Sequence, residues 1–286
     1  MDNHRHLFPI SKMSQTLGVS RSGYYRWKDR PPSKSKLENK RLIEEIRRIW
    51  LDSGKTYGSP RIHRKLKAHR VNVSRPRVAR LMRKAGIASQ IRRKWTQTTD
   101  SAHTKPVAEN LLARDFKARQ VSQKWVSDIT YLPSRHGWLY LTTVMDLADR
   151  QIIGWSLSSS MEAEQTSIAA WKAACRKRPP SSELIFHSDR GIQYACGAFT
   201  DCLQARSVTQ SMSRKGNCWD NAPAESFFKT FKAELLVETS QCSYNQIRRV
   251  VFNFIEIWYN RKRLHSSLDY RTPAEMQQFL IKQQAA

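Results

Sequence analysis

The sequence predicts an α/β domain preceded by all-α helix-turn-helix units. In the first third, apolar residues recur at helical spacing, with serine, proline and glycine where helices begin and end. From Gln123 onward, runs of β-branched and aromatic residues alternate with short turns. The elements after Gln123 follow the order βββαβαβα, which predicts a mixed five-stranded sheet with helices.

The first helical unit is predicted in residues 1–54. One short helix precedes Gly18, which makes the turn, and Ser20 caps a second helix that runs to about Trp27. Residues 36–52 follow as an amphipathic helix whose apolar side chains share one face. We interpret this last helix as a packing element.

A second helix-turn-helix is predicted in residues 55–90. Ser59 is the expected N-cap of its first helix. Ser74 and Pro76 open its second helix, which Gly86 ends. Residues 91–120 are polar and mostly without period, and we interpret them as a linker that follows DNA.

The second helix of this unit has an apolar face and a cationic remainder. Val78, Leu81 and Met82 face one way. The cations are Arg75, Arg77, Arg80, Arg83 and Lys84. Five cations on about three turns suit a helix placed against DNA. The alternative is a solvated basic face without a groove contact.

The charge of the chain is unevenly distributed. The formal net charge is +26, and residues 1–100 carry 26 Lys and Arg against 7 Asp and Glu. Residues 101–286 carry 24 against 17. An excess of this size supplies salt-sensitive affinity for phosphates, which predicts a nucleic-acid partner. A solvated basic surface or a polybasic membrane patch is the alternative.

Other composition signals exclude several classes of protein. No apolar run is long enough to span a bilayer and the first residues lack a signal-peptide core, so we expect a cytoplasmic, nucleoid-associated protein with no membrane partner. The five cysteines form no C-x-x-C pair, which is typical of reduced thiols. His63 and His69 have no paired cysteines at zinc-finger spacing, so we expect no structural zinc.

The α/β domain is predicted in residues 121–240. Three strands, "KWVSDITYLPS", "GWLYLTTVMDLAD" and "RQIIGWSLSS", form an antiparallel meander. A helix near 162–176, the strand "ELIFHSD", a helix near 195–205, the strand "SVTQS" and a helix opened by "WDNAPAESFF" follow. Residues 241–286 form a helical tail. Trp125, Trp138, Trp155 and Trp219 are expected in the core rather than as platforms for base stacking.

Three acidic residues stand out in this basic chain. Asp128 lies in mid-strand, Asp189 ends a buried strand and Glu225 lies in the first turn of a helix. Carboxylate oxygens suit Mg²⁺, and two such ions clamp the attacking and leaving oxygens of a phosphoryl transfer. A structural Asp, a turn cap and a first-turn acid are the respective alternatives. His187 lies on the same strand face as Asp189, and we favour packing over acid–base chemistry for it.

Several strings around these acids resemble one known family. "WVSDITYL", "FHSDRGIQY", "SRKGNCWDNAPAESFFKTFKAEL" and "YNRKRLHSSLDYRTPAE", with the upstream "YGSPRI" and "VSRPRVARLMRKAGI", span residues 57–275. They resemble the DDE transposases of bacterial insertion sequences, specifically the product of the second of two overlapping reading frames (OrfB). The resemblance implies an RNase H-like integrase core whose catalytic and metal-binding triad is Asp128, Asp189 and Glu225.

The resemblance also implies an activity and its partners. It implies DNA 3′-end cleavage and strand transfer with two Mg²⁺ ions, for which Mn²⁺ substitutes. The double-stranded DNA partners are the terminal inverted repeats of the element and the target DNA. Lys229 and Lys232 follow Glu225 on one helix face, where they would contact DNA. An ordinary surface pair is the alternative. A homo-oligomer on DNA is expected, and either this chain alone or a fusion or partnership with a first-frame (OrfA) protein is the working form.

Two other classes of function compete with this interpretation. A DNA nuclease or resolvase of the same fold would stop at hydrolysis. The two predicted DNA-binding units instead favour cleavage at a specific DNA site. A non-catalytic repressor derived from a transposon would have lost a carboxylate, whereas all three are present.

Overall fold

The computed structural model of the chain describes residues 1–90, 107–235 and 237–284. The first helical unit contains α1 (Ile10–Thr16) and α2 (Arg21–Lys28), followed by α3 (Lys34–Asp52). Gly18 makes the turn with φ +63°, a conformation that glycine adopts without strain. Ser20 caps α2, because its Oγ accepts a hydrogen bond from Gly23 N at 3.0 Å. The predicted ends of the second helix and of the amphipathic helix lie within two residues of those of α2 and α3.

The second helical unit packs α4 (Ser59–Ala68) and α5 (Arg75–Lys84) against α3. Ile46, Ile62 and Val78, one from each helix, are fully buried at their centre. Ser74 caps α5 as predicted. The prediction for Ser59 is wrong: it is the first helical residue, and Gly58 is the N-cap. The reason is that the helical ladder already begins with the bond from Ile62 N to Gly58 O.

The α/β domain is built on a mixed five-stranded sheet. Its strands are β1 (Lys124–Ser134), β2 (Gly137–Asp146), β3 (Ile152–Ser158), β4 (Ile185–Ser188) and β5 (Thr209–Met212). They lie in the order β3-β2-β1-β4-β5, with the first three antiparallel and the β1–β4 and β4–β5 pairs parallel. This arrangement with its helices is the RNase H-like fold that the sequence predicts.

Helices cover both faces of the sheet. The helices after β3 are α6 (Ser167–Lys177), α7 (Ile192–Ala195), α8 (Gly197–Gln204), α9 (Ala222–Glu234), α10 (Tyr244–Phe252) and α11 (Pro273–Gln284). On one face Trp125 packs with side chains of α6 and α8, and on the other Val126 packs with α9 and α10. Gly154 lets α6 approach β3 closely, since a Cβ there would lie 2.4 Å from Ala170 O.

The C-terminal residues pack into this core and then return to the helical unit. From α10 the chain continues as a π-helical segment, Asn253–Tyr259, whose Ile255 and Tyr259 are buried with α9. Tyr57 Oη accepts a hydrogen bond from Leu264 N at 2.8 Å and donates one to Lys262 O at 3.3 Å. The tail therefore joins the second helical unit to the α/β domain.

The structure describes only the second part of the predicted linker, residues 91–120. Most of the predicted linker, residues 91–106, lies outside the described residues. Residues 107–120 lie against the α/β domain, where Leu112 is buried and its backbone N–H donates to Ser211 Oγ at 3.1 Å. Within the described ranges, no helix is long and apolar enough to cross a membrane.

Candidate active site

Asp128 and Asp189 are brought together by the register of two parallel strands. In the β1–β4 ladder, Val126 lies opposite His187. Asp128 follows Val126 by two residues within β1, and Asp189 follows His187 by two residues, directly after the end of β4. Continued alternation of side chains would place both on the same face. Neighbouring strands lie about 4.8 Å apart, so the two carboxylates leave the sheet side by side where the ladder ends.

Backbone amides hold one oxygen of each aspartate. Ile129 N donates to Asp128 Oδ1 at 2.8 Å, and Gly191 N donates to Asp189 Oδ1 at 2.9 Å. A Cβ at Gly191 would lie 3.0 Å from that same oxygen of Asp189, so a larger residue would crowd the carboxylate. Both side chains are half-buried. The local backbone therefore orients the two aspartates.

Glu225 reaches the same region from the first turn of α9. The helix begins at Ala222, with Pro223 in its first turn. Asn221 is its N-cap residue, but the side chain makes no capping bond. Instead Asn221 Nδ2 donates to Ser127 O at 2.9 Å, one residue before Asp128. This bond fixes the start of α9 to β1, a role that the sequence analysis missed.

Asp220 holds the preceding loop in place. Its buried carboxylate accepts hydrogen bonds from Arg214 Nε at 2.9 Å, Arg114 Nε at 2.8 Å and Asn110 Nδ2 at 2.9 Å. The bonds from Arg214 hold the pKa of Asp220 well below its usual range. The ion pair with Arg114 is not visible in the sequence, because the two residues are 106 positions apart.

The three carboxylates influence one another electrostatically. Burial raises the pKa of Asp128 well above its ordinary value, and the charges of Asp189 and Glu225 add to that rise. Burial and the charge of Asp189 also raise the pKa of Glu225. Lys232 opposes the effect at Asp128, although burial lowers its own pKa. The negative charge of the cluster therefore exceeds what Lys232 offsets.

The donor set fits a hard divalent cation, because all three side chains offer carboxylate oxygens. Their mutual repulsion is the electrostatic condition that a bound cation relieves. Within the described residues, however, no three His, Cys, Asp or Glu side chains are close enough to form a ready-made metal site.

His187 has a structural role. It is fully buried, with Nδ1 2.9 Å from Ser211 Oγ and Nε2 3.2 Å from Ser213 Oγ. Burial lowers the pKa of His187 to about 4, so the imidazole is neutral near pH 7. The packing interpretation is the one that this geometry supports.

The tryptophan predictions are half right. Trp125 is fully buried, and Trp155 is half-buried with its Nε1 donating to Glu256. Trp138 and Trp219 are 56% and 68% exposed, so their assignment to the core is wrong. Trp138 lies at the open end of β2, beyond the helices that cover the sheet, and Trp219 lies in the short turn of helix before α9.

The candidate DNA contacts differ in their surroundings. Lys229 is exposed on α9, while Lys232 is half-buried near Asp128. On α5, the exposed cations are Arg75, Arg80, Arg83 and Lys84. Arg77 is instead bound to α3, with Nε 3.1 Å from Asn39 Oδ1 and Nη2 3.0 Å from Glu38 Oε2. The structure thus separates Arg77 from the other four cations.

An RNase H-like sheet with acidic residues at its edge and an attached helix-turn-helix defines the integrase-core class of proteins. An Integrase core domain matches residues 118–218, a second Integrase core domain matches residues 206–273, and an HTH-like domain matches residues 36–95. The catalytic core domain of HTLV-2 integrase in complex with magnesium has a TM-score of 0.44 at 13% identity, covering 56% of this chain and 99% of that chain.

Two relatives are similar over nearly their whole length. The insertion element IS600 uncharacterized 31 kDa protein of Shigella sonnei is 40% identical over 92% of this chain and 96% of its own. The transposase InsF for insertion sequence IS3A of Escherichia coli strain K12 is 37% identical over 93% of both chains. The chain belongs to the DDE transposases of IS3-type bacterial insertion sequences.

Proposed function

We propose that this transposase cleaves the 3′ ends of its insertion element and joins them to target DNA, using Asp128, Asp189 and Glu225 as one site. The observation that supports this proposal is the convergence of three carboxylates at the end of the β1–β4 ladder, where Asp189 and Glu225 raise the pKa of Asp128 and Asp189 raises that of Glu225. A purely structural acid is normally paired with a cation, as Asp220 is.

The three carboxylates would hold two Mg²⁺ ions, with Mn²⁺ as a substitute. When bound, such ions supply Lewis-acid stabilisation and an activated water or 3′ hydroxyl for phosphodiester chemistry. The backbone bonds to Asp128 and Asp189 keep their carboxylates oriented toward the shared site. Asn221 holds the first turn of α9, and with it Glu225, against β1.

Lys229 and Lys232 extend the site along α9. They follow Glu225 by four and seven residues and therefore share its face. Lys232 already lies close enough to Asp128 for each to affect the pKa of the other. We assign to these lysines the binding of DNA phosphates beside the scissile bond.

The helical units would direct the protein to specific sites on DNA. The exposed cations of α5 would bind the terminal inverted repeats, and a homo-oligomer would bring two element ends together. One three-carboxylate site serves a single scissile phosphate at a time, whereas transposition joins two ends. Partnership with a first-frame protein is part of the same proposal.

The test compares Asp128→Asn, Asp189→Asn and Glu225→Gln with a matched control, Asp201→Asn, whose carboxylate is exposed on α8. Each site variant should lose cleavage and strand transfer by on the order of 10³-fold, because the carboxylates act as one unit. DNA affinity measured in EDTA should stay within about twofold. Wild-type turnover by any of the three would remove that residue from the site.

A second assay separates a transposase from a nuclease of the same fold. Pre-cut element ends with a free 3′ hydroxyl are incubated with target DNA and Mg²⁺. A transposase joins the ends to the target, whereas a nuclease only shortens them. Hydrolysis without any joined product would contradict the proposal.

A further inference from the structure

A cavity lies against the face of α9 next to the one that carries Glu225. Its volume is about 360 Å³, within the usual range of ligand pockets. Ser226 and Thr230 of α9 line one wall. None of the three candidate catalytic carboxylates lines it, so it is separate from their site.

Three arginines from three parts of the chain line this cavity. Arg61 comes from α4 of the second helical unit, Arg150 from the turn between β2 and β3, and Arg263 from the C-terminal tail. No acidic residue lines the cavity. Glu234, outside the lining, binds Arg263 bidentately at 2.8 and 2.9 Å and lies 3.9 Å from Arg61. Glu234 is therefore shared between Arg263 and Arg61, and Asp146, the carboxylate that acts on Arg150, is already paired with Arg178 at 2.6 Å.

Arg150 is the one of these three arginines that Glu234 does not neutralise. In the described part of the chain it forms no ion pair, and its one hydrogen bond is a long one, 3.4 Å from Nη2 to Phe116 O. The guanidinium is partly buried, and burial lowers its pKa. Buried arginines are ordinarily paired, because an uncompensated buried charge is costly. An anion in the cavity would remove that cost.

The other arginines are held in place before any ligand arrives. Arg61 Nε donates to Leu264 O at 3.0 Å, and the Arg263 side chain is 6% exposed. Arg263 Nη1 lies 3.3 Å from His265 Nε2. Burial together with the charges of Arg263, Arg61 and Arg150 lowers the pKa of His265 to about 3, which indicates that all three cations surround it. The cationic array is thus preorganised.

We propose that this cavity binds a phosphate group of the DNA backbone. Guanidinium groups match phosphate oxygens in fork geometry, and the hydroxyls of Ser226 and Thr230 supply further donors. DNA is the source that the position favours, because α9 carries Glu225 on the adjacent face and Arg61 belongs to the helix-turn-helix unit. In that respect the inference rests on the proposed function.

The first arm of the test measures phosphate binding by the full chain in EDTA. Thermal unfolding is followed against sodium phosphate, with sodium chloride at equal ionic strength as reference. We compare wild type, Arg150→Gln, Arg150→Lys and the control Arg176→Gln, an exposed arginine of α6. Arg150→Gln should weaken phosphate binding about tenfold or more, Arg150→Lys less, and Arg176→Gln not at all.

The second arm identifies the source of the phosphate. Binding of a short duplex of arbitrary sequence is measured over a range of salt concentrations, again in EDTA. Loss of one phosphate contact in Arg150→Gln should reduce the slope of log affinity against log salt by about 0.9, with Arg176→Gln unchanged. Weaker phosphate binding with an unchanged slope would overturn the assignment to DNA, in favour of a free anion.

Equal phosphate affinity in wild type and Arg150→Gln would overturn the cavity as a binding site altogether. Arg150→Lys guards against misfolding, because it keeps the charge and the chain geometry of the parent. Neither arm requires cleavage, so Asp128→Asn should bind phosphate like wild type. A failure of the proposed catalytic function would therefore leave both measurements interpretable.

Discussion

Asp128 shows how one side chain opposes the stability of the fold that places it. Its carboxylate lies in the middle of a strand, half-buried, and faces Asp189 and Glu225. Burial and these two charges raise its pKa, which means that the folded protein favours the neutral form. The raised pKa of Asp128 therefore makes this carboxyl a cost to the stability of the metal-free protein at neutral pH.

Asp128→Asn should consequently raise the melting temperature of the metal-free protein near pH 7. A raised folded-state pKa makes the free energy of unfolding fall as pH rises above the unfolded value of about 3.9, so the gain in Asp128→Asn should grow over that range. Calorimetry in EDTA between pH 4 and about 8 measures it. Asp201→Asn is the control, and a variant less stable than wild type at pH 7 would contradict the electrostatic argument.

Part of this site could be predicted from the local sequence, and part could not. Strand alternation and the apolar run before Asp189 are local signals, so both aspartates could be placed at a strand edge from sequence. The bond from Asn221 to Ser127 spans 94 positions and has no local signal. Trp138 failed for a related reason: hydrophobicity does not reveal where along a strand the covering helices end.

At the scale of elements, α5 combines two functions on one helix. Val78, Leu81 and Met82 pack it against the helical unit. Arg77 ties it to α3 through Asn39 and Glu38. The remaining cations are exposed and face outward. Helical periodicity predicted the apolar face, but it could not distinguish Arg77, since its partners come from a different helix.

Arg80→Ala and Arg77→Ala should therefore affect different properties, the first DNA binding and the second stability. Arg80→Ala should weaken DNA binding and reduce the salt slope by about 0.9, with stability unchanged. Arg77→Ala should lower the free energy of unfolding by about 1 kcal/mol, because it leaves Asn39 and Glu38 without their partner. Filter binding and urea unfolding measure the two effects. Equal loss of DNA affinity in both variants, with equal stability, would refute the division.

Element boundaries follow from the same local signals. The predicted first strand begins and ends at the same residues as β1, because the alternation runs unbroken between two turns. The helix predicted near 195–205 divides into α7 and α8 at Cys196, whose backbone is extended. The cap at Gly58 was misplaced because serine is the stronger N-cap residue in isolation.

At the scale of the whole molecule, the tail connects the second helical unit to α9. Glu234 in the last turn of α9 binds Arg263 of the tail and lies near Arg61 of α4. Tyr57 adds two hydrogen bonds to the tail backbone. The helix that carries Glu225 at its start is thus attached at its end, through the tail, to the second helical unit.

Tyr57→Phe should loosen this attachment. It leaves the buried N–H of Leu264 without its acceptor, which should lower the free energy of unfolding by about 1–3 kcal/mol. Hydrogen exchange at Leu264 should accelerate. Tyr25→Phe, at an exposed tyrosine, is the control. Unchanged stability and exchange in Tyr57→Phe would show that the tail contact contributes little.

The contact between the tail and the helical unit also has a consequence for the order of events during synthesis. Arg64 and its partner Asp269 are 205 positions apart, and at typical translation rates the ribosome needs roughly 10 to 40 s to cover that distance. The helical unit therefore emerges first, while the rest of the chain is still being made. We expect its docking onto the catalytic helix to follow only when residues 262–270 leave the ribosome, so a half-made chain binds DNA before it can cut.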